Sequence, residues 1–252
     1  MAIHQALLVI ADIGGYTRFM REHTFALAHA QDTVSQLLEA VIDAARPLKL
    51  AKLEGDAAFL YAPISTANGN GLITSTIPSI YRAFHERRSQ IASIGMCNCS
   101  ACVNVINLRL KFVAHAGQVA EQRVKRHSEL AGMDVILVHR MLKNDVPIDE
   151  YVLLTDALAS GLPEAVSART QHLTHDFEGI GPTPTRFVDV KELVPLLPEP
   201  PPPGTLLRFW RKLCQELRSL PYSLGPKKAC ENFHNVEIES APAAQLPPGP
   251  AV

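Results

Sequence analysis

The order of segments along the chain predicts an α+β domain, a sheet with helices on one face. Short apolar or alternating runs at 7–11, 50–53, 57–61, 105–116 and 151–154 read as strands. Two longer stretches, 17–46 and 72–91, carry apolar residues at helical spacing, and glycines and prolines punctuate the joins. The 252 residues, 47% of them hydrophobic, suffice for one sizeable core. A net charge of −1 gives no electrostatic footprint for nucleic acid. No apolar run approaches the roughly 20 residues of a membrane span. The opening MAIHQALLVIADIGG lacks a basic region before its apolar run, so no signal peptide is expected and the location expected is cytoplasmic.

Taken in order, the first strand stops at Asp12 and is followed by Gly14-Gly15. Val34, Leu37, Leu38, Val41 and Ile42 then mark a helix that Pro47 ends. Asp32 is the expected N-cap, which divides the stretch into two helices broken near 29–31. The runs 50–53 and 57–61 flank Gly55-Asp56 and read as a tight hairpin. Residues 63–71 are a loop by composition, and Ile73, Ile77, Ile80, Tyr81 and Phe84 give 72–91 its helical stripe. Segment 105–116 alternates through Leu108, Leu110 and Phe112, and 119–124 extends a hairpin from it. Beyond lie a helix at 130–142, a strand at 151–154 and a short helix capped by Thr155. An antiparallel pair, 171–178 with 185–190, closes around Gly179 and Gly181.

The composition changes near residue 195. The expected organisation is a domain at 1–194 with a cysteine-rich insertion near 95–104, a stiff proline-rich linker at 195–204, and an amphipathic helix with a disordered tail at 205–252. Leu206, Phe209, Trp210, Leu213 and Leu217 form that helix's apolar stripe. Docking on its own domain or a second copy, and lying on a membrane surface, are both open for it.

Two carboxylates stand out chemically. Asp12 ends a strand beside a glycine turn, and Asp56 sits at a hairpin tip. Together they can hold Mg2+ or Mn2+, with a triphosphate completing the shell; the alternative is that each caps its own turn. Amides freed by Gly14 and Gly15, and a helix start near Thr17, can meet phosphate oxygens. Cys97, Cys99 and Cys102 are three of the five cysteines, and their spacing lets three thiolates face one ion. Zn2+ is the ion such ligands favour, with a fourth ligand from Cys214, Cys230, His85 or His127. The alternative is that these cysteines only pack a loop. His115, on an apolar strand, reads as a satisfied core histidine.

These motifs also carry a resemblance. Asp12-Ile13-Gly14-Gly15-Tyr16-Thr17 resembles the D-I-S-G-F-T opening of class III nucleotidyl cyclase domains, and Lys52 to Asp56 resembles their K-x-x-G-D hairpin. Ala114-His115-Ala116-Gly117 is similar to the family's I-H-x-G strand. Glu129, Gly132, Val135 and Arg140 fall where it has D-x-x-G-x-x-V-N-x-A-x-R. The four matches run in order from about Ala6 to Val190. HRMLKN (139–144) and CNCSAC (97–102) look like a bacterial offshoot family of unknown function that adds a cysteine cluster.

The resemblance implies a ferredoxin-like antiparallel sheet and a homodimer whose sites draw on both chains. Asp12, Ile13 and Asp56 would be the metal set, and Gly14, Gly15, Tyr16 and Thr17 would lie along the phosphates. Lys52 and Glu129, a donor and an acceptor, would read the adenine edge, so ATP is favoured over GTP. Arg140 would neutralise charge developing on the triphosphate. Two departures bear on turnover. Ile136 stands at the position of the ribose-orienting Asn, and Glu178-Gly179-Ile180-Gly181 replaces a Lys-Gly-Lys-Gly element. The expectation is a cyclase-like protein that binds metal–ATP. Whether it forms a cyclic nucleotide as an adenylate cyclase or acts as a weak or inactive regulatory module is left open.

Overall fold

β1 (Ala2–Gly14) lies inside an eight-stranded sheet that runs β2 (Lys49–Glu54), β3 (Ala57–Pro63), β1, β4 (Arg109–Val124), β6 (Tyr151–Thr155), β8 (Gly181–Asp189), β7 (Gln171–Phe177), with β5 (His127–Ala131) paired to β4. The computed structural model describes residues 2–22, 27–64, 69–94 and 104–196, together with Leu206, Phe209, Trp210, Leu213, Cys214 and Leu217. The cysteine cluster at 97–102, the 197–204 part of the linker and the tail beyond 217 lie outside them. Leu7, Val9, Ala11 and Ile13 face one core, whereas Ala6, Leu8 and Ile10 face another. Burial on both faces is why this strand is a continuous apolar run and not an alternating one.

The first half of the fold follows from that strand. α1 (Tyr16–Glu22) and α2 (Leu27–Ala44) cross from β1 to β2 (Lys49–Glu54), which turns back as β3 (Ala57–Pro63). α3 (Gly69–Ile94) then returns the chain to β4 (Arg109–Val124) on the far side of β1. The order β2-β3-β1-β4, antiparallel throughout, is the ferredoxin-like core. Phe19, Val34, Leu37, Ile77 and Phe84 from the three helices fill one face.

The second face is also covered, contrary to the expectation of helices on one face only. α4 (Met133–Arg140) lies there, with Val138 and Met141 packed among Leu8, Ile10, Phe59 and Val113. A strand apolar on both sides requires that second cover. β4 is one unbroken strand through 119–124, and its hairpin partner is β5 (His127–Ala131). Leu130 and Ala131 are therefore strand and not helix, because they continue the β4–β5 ladder. β6 (Tyr151–Thr155) runs parallel to β4, the one parallel pair among the described strands, since α4 intervenes as a crossover. α5 (Asp156–Ala159), α6 (Glu164–Ser167), β7 (Gln171–Phe177) and β8 (Gly181–Asp189) complete the domain.

Other boundaries differ for local reasons. α2 passes unbroken through 29–31, so Asp32 lies inside the helix and not at its N-terminus; its carboxylate accepts a 2.8 Å hydrogen bond from Gln36 one turn on. Residues 105–107 form a short 3-10 turn ahead of β4. Thr155 stands at the N-cap of α5, but its hydroxyl is 3.0 Å from His115 Nδ1 and makes no cap bond. Leu206, Phe209, Trp210 and Leu217 are helical and exposed. No described helix is long and apolar enough to cross a membrane.

Glu150, 5% exposed, ties α3, β4 and β6 together. Tyr81 donates to its Oε2 at 2.9 Å, Leu110 N–H donates to its Oε1 at 3.2 Å, and His85 Nε2 lies 2.8 Å from Oε1. Burial pushes this carboxyl up, but His85, Tyr81 and the Leu110 amide outweigh it and hold the pKa at about 2, below an ordinary value of 4.5. A depressed carboxyl contributes stability above its unfolded pKa and loses it as pH falls toward its folded one. Urea unfolding should therefore show stability declining from pH 4.5 toward 2. Glu150→Gln should be less stable at neutral pH by about 2 to 3 kcal/mol and show a flatter acid limb. An unchanged acid limb in the variant would assign the titration to another group.

Candidate functional site

The register of β1 sets the site. Asp12, near the end of the strand, pairs with Ala57 of β3 on one side and Lys111 of β4 on the other. Asp56 precedes Ala57 in the β2–β3 turn, where Gly55 takes φ +68°, a conformation that a side chain would strain. The Ile13 N–H donates to the Asp56 carbonyl at 3.2 Å and fastens the hairpin tip to the strand end. The two aspartates expected to share a site are thus brought together.

The two carboxylates and Lys111 influence one another electrostatically. Burial pushes the Asp56 carboxyl up, the negative charge of Asp12 adds to this, and Lys111 partly offsets both. Lys111 Nζ lies 3.1 Å from Asp12 Oδ2. Burial works against its charge, but Asp12 prevails and holds the ammonium above its ordinary pKa. Hard carboxylate oxygens fit Mg2+ or Mn2+. No group of three or more His, Cys, Asp and Glu side chains among the described residues is arranged to hold a metal, so the pair fits an ion only with ligands from elsewhere, such as phosphate oxygens.

A cleft of about 560 Å³, which Lys111 but neither aspartate lines, is bordered by Gly14, Gly15, Arg18, Arg109, Asp149 and Tyr151 among others. Three cations against one carboxylate on its wall suit an anion. Tyr151 donates to Asn144 Oδ1 at 2.9 Å on the same wall. Gly14 and Gly15 therefore face the cleft. Thr17 is exposed on α1, and Tyr16 is half-buried with its phenol pushed up by burial and by Asp56.

Lys52 and Glu129, far apart in sequence, line a second cleft of about 340 Å³ with Glu54, Phe59, Val135 and His139. β5 carries Glu129 there by pairing with the far end of β4. His139 Nδ1 is 2.7 Å from the Val135 carbonyl, and its Nε2 is 3.0 Å from Glu54 Oε2. The ring meets Phe59 edge-on, with centroids 4.8 Å apart. Arg140, at the end of α4, donates to Glu178 Oε2 at 2.8 Å. Ile136 is 48% exposed on the same helix.

His115 is satisfied on both ring nitrogens, by Thr155 Oγ1 and by Asp134 Oδ1 at 2.9 Å. Asp134 Oδ2 also accepts the Gln118 N–H. A side chain at position 117 would overlap the Asp134 carboxyl, so the glycine two residues after His115 makes room for its partner. The sequence reading missed Lys111, Glu54, His139 and Asp134. Strand alternation offered a signal for Lys111, which faces away from Leu110 and Phe112. Nothing local marked it as the partner of Asp12.

A family model described as "Protein of unknown function (DUF2652)" matches residues 34–151. The uncharacterized protein Rv2561/Rv2562 of Mycobacterium tuberculosis is 49% identical over 205 residues, covering 81% of this chain and 94% of its own length. Among solved structures, the catalytic core of a rhodopsin-guanylyl cyclase with converted specificity, in complex with ATPalphaS, aligns with a TM-score of 0.55 at 17% identity over 74% of this chain and 97% of its own. The guanylyl cyclase Cya2 aligns at 0.54 and 12% over 74% and 92%. A class III adenylyl cyclase-like ATP-binding protein from Pseudomonas aeruginosa aligns at 0.54 and 15%, covering 78% of this chain but 41% of that one. At these identities the likeness shows a shared fold.

Gly117→Ala should destabilise the domain by roughly 2 to 4 kcal/mol in urea unfolding, because the added methyl falls on a half-buried carboxylate. With Asp134→Ala in the same chain the loss should be smaller than the sum of the two single losses. Strict additivity would mean that the glycine answers to some other constraint.

Proposed function

The chain belongs to the DUF2652 family of proteins of unknown function, and from its nucleotidyl cyclase-like fold and its site residues we propose that it binds a nucleoside triphosphate, ATP favoured, with Mg2+ or Mn2+, and turns it over slowly or not at all. Binding is supported by the Asp12–Asp56 pair, by the cationic cleft beside it, and by Lys52 and Glu129 lining one cleft. Lys52 donates and Glu129 accepts, the pattern that complements the N6 and N1 edge of adenine. A bound divalent ion supplies positive charge to the phosphate oxygens.

The observation that carries slow turnover is the Glu178-Gly179-Ile180-Gly181 segment, which has no cation of its own and whose Glu178 pairs with Arg140. Cyclisation needs a cation on the phosphates as charge develops there, and this guanidinium already faces a carboxylate where the resembled family has lysines. Ile136 adds to the deficit, since it cannot hydrogen-bond and orient a ribose. Each defect costs on the order of 100-fold in rate.

A homodimer fits this reading. Leu50 and Leu53 on β2, with Met133 and Ile136 on α4, are large apolar side chains left exposed on elements that line the Lys52–Glu129 cleft. A second copy covering them would bring its own Asp12 and Asp56 to a shared site. The cysteine cluster, proposed to hold Zn2+, and the exposed C-terminal helix are not needed for this reading.

Calorimetry with Mn2+–ATP should show binding that Asp12→Asn and Asp56→Asn each abolish, while a parallel assay finds little or no cyclic AMP. A wild-type protein that binds no metal–nucleotide would remove the proposal; rapid cyclic AMP formation would make the protein a competent cyclase instead. Glu178→Lys frees Arg140 and restores a cation, so affinity for Mn2+–ATP should rise about three- to tenfold. Unchanged affinity would show that the Arg140–Glu178 pair lies away from the phosphates.

A further inference from the structure

The carboxylate pair carries a counter-ion of its own. Lys111 stands directly opposite Asp12 across the β1–β4 ladder, with Nζ 3.1 Å from Oδ2. Its side chain also lines the cleft that holds Gly14, Gly15, Arg18 and Arg109. It is one-quarter exposed, so the ammonium borders both the aspartates and open space. We propose that Lys111 is a resident cation of the Asp12–Asp56 site, so that the site takes no more than one divalent ion and presents the ammonium to the phosphates. This rests on the metal–nucleotide reading above and specifies its ion count.

The argument is one of charge and space. Two carboxylates and one ammonium leave a formal charge of −1, which one divalent ion converts to +1, a charge suited to a polyphosphate. A second divalent ion on Asp12 would sit roughly 2.1 Å from an oxygen that Lys111 already contacts, close to the ammonium and repelled by it. A flexible four-carbon stem lets the ammonium meet an incoming anion while it stays beside Asp12. An ordinary strand-to-strand ion pair would account for stability alone. It does not account for the placement of the ammonium on the wall of an anion-suited cleft beside two carboxylates. Lys111 is in these terms a positioning and charge-setting residue.

The test is Mn2+ binding, read by the paramagnetic signal of the free ion, on the full chain and on Lys111→Met. For Mn2+ alone, Lys111→Met should bind about tenfold or more tightly, since the competitor is gone. With 3′-deoxy-ATP, which has no 3′-hydroxyl to cyclise, wild type should take one Mn2+ per nucleotide and Lys111→Met two. Inorganic triphosphate without metal should bind the variant about tenfold more weakly. Lys111→Arg should keep the one-ion count, and Lys111→Gln stands in if the methionine variant does not fold by circular dichroism. Equal Mn2+ affinity and equal ion count in wild type and variant would overturn the inference. Two Mn2+ per nucleotide in wild type would overturn it without any variant. Failure of the nucleotide reading looks different: wild type binds no Mn2+–nucleotide, while Mn2+ alone still reports whether Lys111 competes.

Discussion

A strand buried on both faces has no room for charge except toward its ends, and β1 carries Asp12 two residues before its last. Core packing from two sides holds its backbone, and antiparallel ladders to β3 and β4 fix what stands beside each residue. The hairpin tip bearing Asp56 is placed by the β3 ladder and by the Ile13 amide, and Lys111 by the β4 ladder. A one-residue slip in either register would turn these side chains to the opposite face. The geometry of the charged cluster is therefore a consequence of core packing several residues away.

Three ion pairs form within the chain at the candidate site. Lys111 meets Asp12, His139 meets Glu54, and Arg140 meets Glu178. The first pair lies in a half-buried setting where attraction is stronger, and the last is exposed and weak by itself. Internal pairing lets the site exist without ligand at modest electrostatic cost. It also means that any ligand there must compete with a residue already in place. A fold shared with nucleotidyl cyclases does not by itself carry their activity, because function resides in the site and this site differs at two positions.

Behind the site, a second buried network holds the sheet in register. Glu150 collects hydrogen bonds from α3 and β4, and His115 bridges β4 to Thr155 and Asp134. Both are polar groups in a core that would be costly to leave unpaired, and both are paired. Gly117 is the small residue that the second network demands.

Local information was enough for the α+β class, for β1 as a fully buried strand, and for the β2–β3 hairpin with Asp56 at its tip. In each case neighbouring residues set the answer through hydrophobic period and turn chemistry. The family resemblance extended this to the ferredoxin-like order of the first four strands, which the ladders bear out. Element type survived where period was strong, and boundaries moved where a ladder or a helical side-chain pair outweighed it, as at Leu130 and Asp32. Tertiary structure alone decided the rest. That α4 covers a second face, that Lys111 stands opposite Asp12, and that Glu178 reaches Arg140 all depend on contacts between distant segments. Such pairings are set by strand register and packing across the sheet, and no window of neighbouring residues encodes them.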